Sequence, residues 1–217
     1  MRFRDKIKKP QRPVVTYEIL PPREKDGTLN SYAEKISSLL SQTHIDAINI
    51  PEVREEEGRG KRPVVNSSRA EPRHFGRLLQ DMVGVESIVN RVVVHDELKN
   101  QIKWFRETHE KYEIENMIIV GGESSKIKYI GPTVNQILEL VAFKYNNNGG
   151  DILCGGITLP TRLNESKNLI RKSGNGAEFF TTQVLCDSEN IVKMMNKYQE
   201  RCDALDTFPR RILLSFA

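Results

Sequence analysis

Short runs rich in Val, Ile and Phe alternate with longer segments of helical period along the whole chain, and this alternation limits the fold more than any other feature. Strand, helix, strand at roughly 30-residue spacing is the pattern of βα units wound around a parallel sheet. Seven strand candidates follow, at 14–20, 47–50, 87–94, 116–120, 151–158, 178–184 and 211–216. Between them, Val134, Ile137, Leu138, Val141 and Tyr145 form one helical stripe and Ile191, Met194, Met195, Tyr198 and Cys202 another, the latter capped by Asp187 or Ser188. A helix over 97–113 carries Leu98, Ile102 and Phe105 on one face, with Trp104 beside it.

The predicted fold is an α/β (β/α)8 TIM-type barrel, incomplete at about seven strands, in a single domain spanning 1–217. An unpaired parallel strand exposes backbone groups, so the pattern predicts either a truncated gene product or a partner chain, or a homo-oligomer contact, that completes the barrel. The basic cluster in residues 1–12 reads as a solvated tail and the polar stretch 51–72 as a functional lid or mobile loop.

Composition excludes several classes. No apolar run approaches the roughly 20 residues of a membrane span, the basic N-terminus is not followed by a signal-type apolar region, and three cysteines without a Cys-x-x-Cys pair argue against a disulfide or zinc framework. A cytoplasmic setting fits best. Net charge is only +4 and the basic cluster lacks stacking aromatics beyond Phe3, so no nucleic-acid partner is expected. Gly121-Gly122 lacks the ending of a phosphate loop, the four histidines are too scattered for a metal site, and no Gly-x-Ser-x-Gly occurs.

In parallel α/β folds, chemistry collects at the carboxyl ends of strands. Polar residues there are Glu18 in the first run, Asn49 with Glu52 after the second, His95 and Asp96 after the third, Glu123 after the fourth and Gln183 in the sixth. Burying Glu18 among Val, Ile and Leu without a partner would be costly, which marks it as a working carboxyl.

Tyr17-Glu18-Ile19-Leu20-Pro21-Pro22-Arg23 resembles the Phe-Glu-Phe-Phe-Pro-Pro-Lys opening of methylenetetrahydrofolate reductases. Ala177-Glu178-Phe179-Phe180-Thr181-Thr182-Gln183 resembles their Gly-Ala-Asp-Phe-x-x-Thr-Gln strand, and Val120-Gly121-Gly122-Glu123 stands where they carry Leu-Arg-Gly-Asp. The resemblance implies an oxidoreductase acting on CH–NH groups in one-carbon metabolism and methionine biosynthesis, reducing a methylene pterin or folate to its methyl form with NAD(P)H, and, in the family, FAD. It implies Glu18 as a partly dehydrated acid, Glu123 as stabiliser of the cationic intermediate, and Gln183, Asn49 and Glu52 as substrate contacts. It places Arg91, His95, Gly121, Gly122 and Thr158 on the cofactor side. Arg91 and Gly121 depart from the family's flavin-side residues, which leaves a second reading: a non-redox pterin-binding or regulatory subunit completed by a partner chain.

Overall fold

Alternation of β-branched runs with amphipathic segments produces the expected layering in the computed structural model, which describes residues 1–9, 11–54, 69–122, 127–185 and 187–216. Seven parallel strands lie in sequential order, β1 (Thr16–Glu18), β2 (Ala47–Ile50), β3 (Glu86–Val92), β4 (Asn116–Val120), β5 (Leu153–Thr158), β6 (Phe179–Val184) and β7 (Arg211–Ser215), curled into an open barrel. Helices α2 (Leu29–Leu40), α3 (Pro72–Val83), α4 (Leu98–Glu110), α5 (Val134–Leu140), α6 (Glu165–Gly174) and α7 (Glu189–Ala204) alternate with them. Among the described residues, no helix is long and apolar enough to cross a membrane.

Strand alternation divides the core into two. Ile48, Val89, Met117, Cys154 and Phe180 face the helices and pack with Phe75, Phe105 and Tyr198. Ala47, Ile88, Ile118, Leu153 and Phe179 face the lumen and pack with Phe3 and Ile7.

That second cluster corrects the reading of 1–12 as a solvated tail. Phe3–Lys8 form a short helix, α1, whose two apolar residues are buried at the amino end of the barrel, Phe3 edge-on to Phe179 with ring centroids 5.7 Å apart. Its charges meet carboxylates at the strand starts. Lys6 and Arg12 reach Asp46 at 3.1 and 2.8 Å, Arg2 reaches Asp151 at 2.8 Å and Glu115 at 3.3 Å, and Lys8 reaches Glu178 at 2.5 Å. Arg4 also pairs with Asp151, and the Phe3 amide donates to Glu86.

Two helices differ in detail from the sequence reading. Helix α4 buries Gln101, Trp104, Phe105 and Thr108 while Leu98 is exposed, because Gln101 bonds Arg91 and the Val93 carbonyl under the helix. The stripe after Val134 changes to a π turn at Val141–Tyr145. Asp187, rather than Ser188, supplies the capping oxygen of α7, accepting from the Glu189 and Asn190 amides. Most of the long loop, 55–68, lies outside the described residues.

Candidate functional site

The lumen changes character along its axis. Its amino half is sealed by α1 and apolar side chains, whereas the inward positions one pleat further on are Glu18 on β1, Asn49 on β2 and Asn90 on β3. Register puts Glu18 opposite Asn49, and Asn90 opposite Ile118. These side chains line a cavity of about 2010 Å³ that also takes in Glu52, Gly121, Gly122, Asn135 and Gln183. A site for a drug-sized molecule usually measures roughly 300–1,000 Å³; this one is larger because it continues between β1 and β7, whose residues line it on either side.

Asn49 is 5% exposed and its Nδ2 donates to Glu18 Oε2 at 2.7 Å. Glu18 itself is exposed, which corrects the picture of a partly dehydrated acid: β1 is three residues long and forms an edge of the sheet, so one side of the carboxylate faces open space. The Oδ1 atoms of Asn49, Asn90 and Asn135 are buried without a hydrogen-bond partner among the described residues. Each such carbonyl costs about 1–3 kcal/mol in lost hydration. Native folds seldom accept that cost without a ligand or ordered water to offset it.

The remaining candidates divide. Glu52 lines the cavity, but its oxygens are committed, accepting from Arg91 at 2.7 Å, Arg54 at 2.9 Å and the Val92 amide at 2.7 Å. Arg91 points to the helix side, where it pairs with Asp96 at 2.6 Å, bonds Gln101 and lies 4.9 Å from the centre of the Trp104 ring. Burial pushes its guanidinium pKa down, more than its carboxylate partners raise it. Thr158 is fully buried against α7, with Oγ1 3.3 Å from Met194 Sδ. His95 sits edge-on to Tyr129 at 5.5 Å. At Gly122 an added Cβ would fall 2.1 Å from the Tyr129 ring, so any larger residue there requires that ring to move.

Arg91 and Thr158 therefore stand outside the lumen, whereas Gly121 and Gly122 line its cavity. Glu123 lies outside the described residues. Gln183 is exposed near the end of β6, within an irregularity in that strand's pairing with β7. Among the described residues, no group of three or more His, Cys, Asp or Glu could hold a metal. Sequence reasoning passed over Asn90, although the alternation Ile88, Asn90, Val92 puts an amide on a face otherwise apolar.

No family model matches the chain, and no curated protein does. Solved structures do. A Clostridium thermocellum protein that binds two copies of 5-methyl-5,6,7,8-tetrahydrofolic acid is similar at a TM-score of 0.73 and 16% identity, over 97% of this chain and 67% of that one. Oxaloacetate acetylhydrolase is similar at a TM-score of 0.57 and 9% identity, over 99% of this chain and 79% of that one. 2,3-Dimethylmalate lyase, of the PEP mutase/isocitrate lyase superfamily, gives 0.56 and 13%, over 99% of this chain and 78% of that one. At such identities the likeness establishes the barrel fold alone. The enzymes named here are a hydrolase and a lyase, which overturns the expectation of an oxidoreductase acting on CH–NH groups.

Proposed function

We propose that this chain binds a reduced pterin of the tetrahydrofolate class in the lumen of its open barrel, as a binding or regulatory protein without redox chemistry. The observation that carries the reading is the Glu18–Asn49 pair, joined at 2.7 Å and lining one cavity with Gln183. A carboxylate and primary amides match the donors and acceptors around a pterin ring, because a carboxylate accepts from N–H groups while an amide both donates and accepts. The similar Clostridium thermocellum protein, which binds a methyl-tetrahydrofolate, supports the same ligand class.

Glu18, exposed on an edge strand, works here as an acceptor that orients Asn49 and the ligand. Closure of the lumen by a further strand between β1 and β7 belongs to the same proposal, since both strands end the sheet among the described residues.

The test is calorimetric titration of the purified chain with 5-methyltetrahydrofolate, run beside a nicotinamide oxidation assay. Saturable binding with no nicotinamide consumption is expected, and Glu18→Ala weakens it by about tenfold, the loss of one charged hydrogen bond. Absence of binding at millimolar ligand would overturn the reading.

A further inference from the structure

We propose that a cationic cluster beyond β5, made of Arg162, Arg171 and Lys172, receives the carboxylates of the ligand's tail, so that affinity rises with the length of a γ-glutamyl chain. This rests on the reduced-pterin reading and adds a second anchor, remote from the ring.

The three cations gather around one carboxylate. Glu165 opens α6 with its side chain 1% exposed, and it faces Arg162 at 3.4 Å and Lys172 at 4.0 Å. The same carboxylate also accepts from the Leu159 amide and from Asn168. Arg171 bonds Asn168 at 3.1 Å and has no carboxylate partner among the described residues. Three positive charges therefore share one negative charge.

Lys172 shows the shortfall most clearly. Its side chain is 11% exposed, and its ammonium donates to the Ile157 carbonyl at 2.5 Å. An ammonium has three donors, so this one keeps capacity for a further acceptor. Burial pushes its pKa down, and the nearby charges of Arg162 and Arg171 add to this against the pull of Glu165. A bound anion would relieve that imbalance.

All three cations line the cavity that Glu18 and Asn49 also line. Its other lining carboxylate, Glu52, is held by Arg91 and Arg54. The cavity is thus two-ended in charge, with Glu18 and amides on the β1–β2 side and excess positive charge beyond β5. At about 2010 Å³ it has room for far more than the ring, since sites for whole drug-sized molecules measure roughly 300–1,000 Å³. Guanidinium groups pair with carboxylates through two parallel hydrogen bonds, which suits a chain of carboxylates rather than a neutral tail.

The experiment is calorimetry on the full chain with 6-methyltetrahydropterin, which has no tail, with 5-methyltetrahydrofolate and with its tri-γ-glutamate. Affinity should rise along the series, the triglutamate exceeding the monoglutamate about tenfold at low salt. That gain should shrink at about 1 M salt, where the screening length falls to about 3 Å. Arg171→Gln should reduce the gain and Arg171→Glu abolish it, each measured against the same variant's affinity for 6-methyltetrahydropterin. Equal binding of the two folates by wild type, a gain indifferent to salt, or a gain undiminished in Arg171→Glu overturns the tail assignment while leaving ring binding in place. Failure of all three ligands overturns the underlying reading with it.

Discussion

Arg91 shows how a polar residue near a strand end can be structural. It is 5% exposed, with Glu52, Asp96 and Gln101 around it and the Trp104 ring beneath it, so its charge is consumed in joining β3 to α4. Removing one partner from a buried ion pair strands the other, a loss of about 3–5 kcal/mol. Arg91→Leu should accordingly lower the urea midpoint by that equivalent at pH 7, whereas a residue that served only as a ligand contact would leave the midpoint in place. The same contrast explains what could be read from sequence at this scale. Glu18 and Gln183 stand out because they interrupt apolar runs, and both line the cavity. Arg91 and Thr158 share that signature, yet strand parity turns them to the helices, and only knowledge of which parity faces the lumen separates the two cases. Asn90 has the opposite history: its parity is inward, but it sits inside a run that reads as buried strand throughout.

At the scale of elements, the seven strands were legible because each β-branched run is bounded by polar or glycine-containing segments, and the ends moved by only a few residues where pairing stops, as at β1 and β5. Helix α1 was not legible. Phe3 and Ile7 give it a single i, i+4 apolar pair, and its partners are remote: Asp46, Glu86, Glu115, Asp151 and Glu178, one acid at or just before the start of each of five successive strands. That repeated acid is the signal a sequence reader could have used. Phe3→Ala should cost about 3–5 kcal/mol, measured by thermal or chemical melting, because the ring is wholly buried against Phe179. The clamp also has a pH limit. Burial pushes the carboxyls of Asp46 and Asp151 up, but hydrogen bonds and charges from the Val15 amide, Lys6 and Arg12 at the first, and from Arg2 and Arg4 at the second, outweigh it and hold both below the ordinary 3.8. A carboxyl lowered in the folded state adds stability that is fully present above its unfolded value and is lost as pH falls through the folded one. Hydrogen exchange at Phe3–Lys8 should therefore be slow and level from pH 7 to about 5, after correction for intrinsic rates, and rise below about pH 4 before the sheet opens. Simultaneous exposure of α1 and β4 across that range would show that the clamp has no separate acid limit.

For the molecule as a whole, the open side of the barrel joins stability to function. Glu18 belongs to β1 and Gln183 to β6, so the two proposed ring contacts flank the cavity's open side, with β7 between them and exposed Tyr17 and Leu214 on its edges. Without ligand, β1 has a neighbour on one side only and holds three residues of pairing, the least secured part of the sheet among the described residues. A ring that touches Glu18, Asn49 and Gln183 together would bind β1 to the far side through the lumen. Ligand at about 100 times its Kd adds about 2.7 kcal/mol to the folded state, which for a chain of this length corresponds to a melting-temperature rise of about 5–10 °C. Where that gain is felt distinguishes lumenal binding from a contact at the rim. Lumenal binding should slow exchange of the Thr16–Glu18 and Arg211–Ser215 amides while leaving β3 and β4, already paired on both sides, unchanged. If 5-methyltetrahydrofolate raised the melting temperature but protected only the loops beyond the strands, the ligand would be held outside the barrel, and the inward carboxylate and amides would have no part in holding it.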